Sequence, residues 1–202
     1  MAMSTTKKRK KTKYHNEILS YEVVDGDTIR AVLDLGYSCY KNVTIRLVGM
    51  DTPELKSNNP LEQEAAKLSK QVISRMLELA WDGQVDLESE SVDVYGRPLG
   101  RIYLHKFKCD LAQTLINLKA ARYYTGSITK NPWSSQSLSI LTENCNKFLQ
   151  DPMANINKFL AERFEGYPGM GCLLWLMGMQ VREILIEKST RVSFAITTIK
   201  SL

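Results

Sequence analysis

Five short stretches of strand character, three before and two after one long amphipathic segment, limit how this chain can fold. The strand-like stretches lie near residues 18–25, 28–35, 40–48, 84–90 and 99–105. Between the third and fourth, Glu62–Trp81 sets Ala65, Leu68, Val72, Met76 and Leu79 along one stripe at helical spacing. Asn59-Pro60-Leu61-Glu62 marks its start, with an asparagine cap, a proline at the first helical position and a glutamate three residues after the cap. Asp110-Leu111-Ala112-Gln113 repeats that logic and predicts a second helix through about Ala121.

Polar residues with chemical potential cluster at the ends of these stretches. Asp27 follows Gly26 at a strand–turn junction, between Glu22-Val23-Val24 and Thr28-Ile29-Arg30-Ala31-Val32. Asp51 comes just after the apolar run Leu47-Val48-Gly49-Met50, so it emerges at a strand end. Carboxylate oxygens select hard cations, and Ca²⁺ tolerates a loose, partly aqueous oxygen shell. His15 and His105 are isolated and the cysteines show no paired spacing, so no zinc pattern competes. Pro53 fixes its own backbone and drives Thr52 toward an extended conformation, which orients the Thr52 carbonyl and the Glu54 side chain. Glu54 is then the candidate to activate a water.

Two arginines complete the set. Arg46 lies in a strand where Val43, Ile45 and Leu47 alternate with Thr44, Arg46 and Val48, a rigid mount for a planar fork suited to phosphate oxygens. Arg97 sits in the loop Asp93-Val94-Tyr95-Gly96-Arg97-Pro98. Two arginines and a cation would neutralise the charge that builds on a reacting phosphate. Asp-Gly-Asp-Thr alone is an ordinary turn signal, and most loop arginines are merely solvated. The joint occurrence of these elements, in this order, carries the reading.

The motifs Asp25-Gly26-Asp27-Thr28, Arg46-x-Leu-x-Gly-x-Asp51-Thr52-Pro53-Glu54 and Tyr95-Gly96-Arg97 resemble those of the staphylococcal nuclease (thermonuclease) family. The resemblance covers roughly residues 18–126. It implies an α+β fold, a five-stranded OB-like barrel with packed helices, of a kind that commonly binds oligonucleotides on one face. It implies that Asp27, Asp51 and the Thr52 carbonyl ligate Ca²⁺, that Arg46 and Arg97 bind the scissile phosphate, and that Glu54 is the general base. It further implies cleavage of DNA or RNA that leaves 3′-phosphate ends. Tyr95, Tyr123 and Tyr124 are candidates for nucleic-acid contact by stacking, which gives affinity with little sequence preference. Val94 departs from the family, whose best-known members carry a lysine before the tyrosine. A binding module on the same barrel is the alternative, but such descendants need not keep Asp27, Arg46, Asp51, Glu54 and Arg97 together. Loss of one transition-state contact costs several kcal/mol.

Charge is unevenly distributed. The formal net charge is +5, yet residues 1–13 alone contribute +6, so the remainder stands at −1. The organisation expected is a basic disordered tail over 1–16, the nuclease-like domain over 17–126, and a mainly helical extension over 127–202. A strong non-specific grip on nucleic acid would come from the tail and local arginines, and would weaken with salt. The tail also reads as a solubilising arm or a nuclear-localisation-like run, Lys7–Lys11. No apolar stretch follows the charged N-terminus, and Cys39, Cys109, Cys145 and Cys172 form no disulfide framework. The expectation is an intracellular protein with reduced thiols, cytoplasmic first and nuclear second. Resting cytosolic calcium is low, so such an enzyme would stay quiet unless calcium rises, another cation substitutes or the site binds tightly.

The extension holds Asn131-Pro132-Trp133-Ser134-Ser135 as linker and helix start, a helix over Leu138–Leu149, and another after Asp151-Pro152 through Phe164 with Ile156, Phe159 and Leu160 on one side. Gly166–Gly171 is a break, and Cys172–Lys188 predicts a further helix. Its apolar part is too short to span a membrane. Left uncovered, it would invite self-association or a protein partner, and the function would then lie in the extension. Deletion after about Gly126 should spare cleavage if catalysis resides in the barrel, with a loss of stability from the missing final helix.

Overall fold

The computed structural model describes residues 13–126 and 131–164. The basic run and the apolar segment 172–187 lie outside them. In order, the elements are β1 Tyr14–Asp25, β2 Thr28–Asp34, β3 Tyr40–Leu47, β4 Met50–Asp51, α1 Pro60–Ala80, β5 Val85–Val92, β6 Pro98–Leu104, β7 Cys109–Asp110, α2 Leu111–Asn117, β8 Arg122–Tyr123, α3 Ser135–Gln150 and α4 Pro152–Phe164.

Strands β3-β2-β1-β5-β6 are hydrogen-bonded neighbours, and β3 pairs with β6 in parallel through Arg46–Leu99 and Leu47–Gly100. That last pairing closes a five-stranded barrel, so the chain is α+β as expected. Gly100, in that pairing, also lets β6 lie close on β5: a Cβ there would come within 2.5 Å of Leu87 Cδ1 and 2.8 Å of the Glu88 carbonyl. The inward positions alternate as the pleat requires: Ile29, Ala31 and Leu33 on β2, Ile45 and Leu47 on β3, Val85 and Leu87 on β5 are all buried.

β1 begins at Tyr14, so it takes in residues assigned above to the tail. Tyr14–Glu17 pair with Asp86–Ser89 of β5, and Lys13 reaches Glu88 at 2.7 Å. The segment is polar and gave no apolar period, but its backbone groups find partners on an existing strand.

The buried side of α1 is rotated from the expected stripe. Ala65, Ala66, Ser69, Val72, Ile73, Met76, Leu77 and Ala80 face the core, while Leu68 and Leu79 are only partly buried. Asn59 caps the helix as expected, its side chain accepting from Leu61 N at 3.1 Å. Glu62 does not close a capping box on the asparagine. It reaches outward instead, accepting from Ser57 Oγ at 2.6 Å and from Glu54 N at 3.3 Å.

Asp110 caps α2 by accepting from Gln113 N. The helix ends at Asn117 rather than Ala121. Lys119 adopts a left-handed φ of 57°, and the amides of Lys119 and Ala120 donate back to the carbonyls of Ile116 and Leu115. This pattern of backward bonds terminates a helix even without the usual glycine. α3 starts at its Ser134 cap and packs on α1, burying Leu138, Leu141, Cys145 and Phe148 in the barrel's own core. α4 follows on α3 and adds Ile156 and Leu160.

Candidate active site

The turn Asp25-Gly26-Asp27-Thr28 joins β1 to β2. Asp25 accepts from the Asp27 amide at 3.1 Å, which sets the turn, and the Thr28 hydroxyl donates to Asp27 Oδ1 at 3.0 Å. Thr28 stands opposite Arg46 in the β2–β3 ladder, and the Leu47 amide donates to the Asp27 carbonyl. This register brings Arg46 onto Asp27: guanidinium Nη1 is ion-paired with Oδ1, and both side chains are largely buried.

Arg46 is the electrostatic hub. Burial pushes its guanidinium below its ordinary value, while the carboxylates of Asp25, Asp51 and Glu54 push back and the charge of Arg97 adds to the lowering. Five of the six residues singled out from sequence therefore converge: Asp27 by contact, and Asp51, Glu54 and Arg97 within electrostatic reach of Arg46. The sixth, Thr52, is buried next to Asp51.

Each member has a distinct local mount. Asp51 and Thr52 are buried at the end of β4. Glu54 is exposed, but its backbone is fixed: its amide donates to Glu62 in the first turn of α1, and its carbonyl accepts from Ser57 N at 3.1 Å in the loop before it. Arg97 is held by Asp93, which accepts from the Tyr95 amide, the Arg97 amide and Arg97 Nε at 2.6 Å. Burial works against the ionised Asp93, but these donors outweigh it and hold its pKa below the usual carboxylate value. The pairing runs through Nε, and the guanidinium lies 5.4 Å from the Tyr95 ring centroid.

Tyr95 and Tyr123 are strongly exposed, and Tyr124 is half-buried with its amide donating to the Gly49 carbonyl. Val94, the residue before Tyr95, is 93% exposed. It extends an apolar loop tip rather than adding charge.

Arg122 was not singled out from sequence. It lies opposite Asp51 in the two-residue β4–β8 ribbon, and Nε and Nη2 donate to Asp51 Oδ2 at 2.9 and 2.7 Å. A pairing across 71 residues leaves no local signal.

The residues expected at a cation site offer hard oxygens: the Asp27 and Asp51 carboxylates and the Thr52 carbonyl. They fit Ca²⁺ or Mg²⁺ with a shell completed by water, and not a thiolate- or imidazole-preferring metal. Among the described residues no three Asp, Glu, His or Cys side chains converge on one point. Both carboxylates also hold arginine partners, so a cation would compete with Arg46 for Asp27. A groove of about 650 Å³ among α2, α3 and α4 contains none of these residues; convergent charge, not cavity volume, marks the site.

Barrel and site together define a nuclease-type or nucleic-acid-binding domain. The chain belongs to the staphylococcal nuclease family: the family described as Staphylococcal nuclease homologue matches residues 44–147, just over half of its length. The match takes in Arg46, Asp51, Thr52, Glu54, Arg97 and most of α3, while Asp27 precedes it. No curated protein matches the chain.

Proposed function

We propose that the protein hydrolyses phosphodiester bonds of DNA or RNA in a Ca²⁺-dependent reaction with little sequence specificity, leaving 3′-phosphate ends. The observation that carries this reading is the gathering of Asp27, Asp51, Glu54 and Arg97 around Arg46. Arg46 and Arg97 hold the non-bridging oxygens of the phosphate and offset the charge that grows on them. Glu54 takes a proton from a water as its oxygen bonds to phosphorus. The P–O5′ bond breaks, the 5′ oxygen leaves with the bonding pair and takes a proton from solvent, Glu54 returns its proton to solvent, and the phosphate remains on the 3′ side. Asp27, Asp51 and the Thr52 carbonyl hold the cation, which supplies Lewis-acid charge when bound. Tyr95, Tyr123 and Tyr124 offer ring faces to bases, which accounts for weak sequence preference.

The second reading is a nucleic-acid-binding module on the same barrel. One observation favours it: Asp27 and Asp51 each have an arginine partner, an arrangement complete without a cation.

The test is cleavage of labelled single-stranded DNA and RNA with Ca²⁺, with Mg²⁺ and with chelator, wild type beside Glu54→Gln. Ca²⁺-dependent cutting that disappears in the mutant is expected. No cutting by folded protein that still binds either strand would select the binding module.

A further inference from the structure

Arg122 is built unlike the two arginines of the reaction. Nε and Nη2 hold Asp51 Oδ2, Nη2 also donates to the Asn131 carbonyl, and Nη1 donates to the Pro132 carbonyl at 3.4 Å. Its guanidinium carbon lies 4.0 Å from the Trp133 ring centroid, a stacking distance. All three guanidinium nitrogens are thus committed within the protein. Arg46 and Arg97 each show one ion pair. Asp51 is wholly buried, so its orientation is set by what touches it. The β4–β8 ribbon holds the two backbones opposite each other, and the Tyr124–Gly49 bond locks the ribbon's end. The Trp133 ring and the two carbonyls belong to the segment that leads into the Ser134 cap of α3.

We infer that Arg122 is a positioning residue: it fixes the carboxylate of Asp51 for cation binding and makes that presentation depend on the seating of residues 131–133 ahead of α3. This rests on the reading of Asp51 as a cation ligand. The clamp on Oδ2 fixes the direction in which the Asp51 carboxylate faces. Partners behind a ligand commonly change metal affinity by about 10–100-fold. Lysine in place of Arg122 keeps the charge but loses the fork and the flat face, so it reads out geometry alone.

The experiment is calorimetric Ca²⁺ titration of full-length wild type, Asp51→Asn, Arg122→Lys, Trp133→Leu and Trp133→Phe, each checked for folding by circular dichroism, with kcat and KM measured alongside. Asp51→Asn should lose Ca²⁺ binding. Arg122→Lys should fold and bind Ca²⁺ about ten-fold or more weaker, with the loss in kcat exceeding any change in KM. Trp133→Leu should weaken binding, and Trp133→Phe, which restores a ring face, should weaken it less. Wild-type Ca²⁺ affinity in folded Arg122→Lys and Trp133→Leu, with Asp51→Asn inactive in binding, overturns the clamp and leaves Asp51 a ligand. Wild-type affinity in Asp51→Asn removes the ligand reading and the clamp with it. If Arg122→Lys does not fold, the two Trp133 variants decide, and equal affinity in both at the wild-type level overturns the inference.

Discussion

Gly26 and Thr52 touch so closely that a Cβ on the glycine would stand 2.4 Å from the threonine hydroxyl and 2.7 Å from its Cβ. The contact joins the turn carrying Asp27 to the strand end carrying Asp51, two carboxylates far apart in sequence. Gly26→Ala must therefore push the two apart. Overpacking of this kind costs about 1–3 kcal/mol. The expected result is a lower urea midpoint together with weaker Ca²⁺ binding; an unchanged Ca²⁺ isotherm would show that the spacing of Asp27 and Asp51 is immaterial.

Arg46 balances Asp25, Asp27, Asp51 and Glu54 in a largely buried setting. Arg46→Gln leaves carboxylates facing one another without their cation, and breaking a buried pair costs about 3–5 kcal/mol. The melting temperature in chelator should fall well below that of wild type, and added Ca²⁺ should recover more of it in the variant than in wild type. Equal Ca²⁺ shifts in the two proteins would argue against a cation beside Arg46.

Arg97→Lys keeps a charge but not the fork or the Nε contact to Asp93. Turnover of single-stranded DNA should drop by about 100-fold or more, in the range seen when one oxyanion contact is removed. Wild-type turnover would take Arg97 out of the reaction.

Cys145 is buried in the α1–α3 interface, and burial pushes its thiol up to about 12, against a side-chain hydrogen bond with Ser69 that lowers it. In the unfolded chain the thiol ionises near 9, about three pH units lower. Between those values the unfolded state has lost its proton and the folded state has kept it. The thiol's contribution to stability is therefore full below pH 9 and falls as pH rises toward 12, by about 1.4 kcal/mol per unit. Unfolding by urea at pH 8 and pH 10.5 should show this slope, and Cys145→Ala should reduce it.

Truncation after Gly126 should not leave a working barrel, because the destabilisation expected from loss of the final helix is large. It removes Leu138, Leu141, Cys145 and Phe148 from the core and Trp133 from Arg122. Each large buried apolar side chain contributes roughly 1.5–3 kcal/mol, so their sum approaches a domain's whole stability of about 5–15 kcal/mol. Circular dichroism of the truncated chain should report an unfolded protein, and a cooperative melt would refute this.

Sequence and structure divide along physical lines. The strand periods, the Asn59 and Asp110 caps, and the candidate set Asp27, Arg46, Asp51, Thr52, Glu54 and Arg97 were legible because each rests on neighbours a few positions away. Local chemistry writes such features: an Asp-Gly turn, a proline at a helix start, an alternation of apolar and polar side chains. Four things were settled only by the tertiary structure. The two-residue strands β4, β7 and β8 are too short to carry a period. The end of α2 depends on a lysine held left-handed by the bonds around it. Glu62 chose Ser57 and the Glu54 amide over its own cap. Arg122 met Asp51 only because long-range pairing sets β8 beside β4. Local patterns determine which residues can do chemistry, while long-range register, which no window of sequence contains, decides which of them face one another.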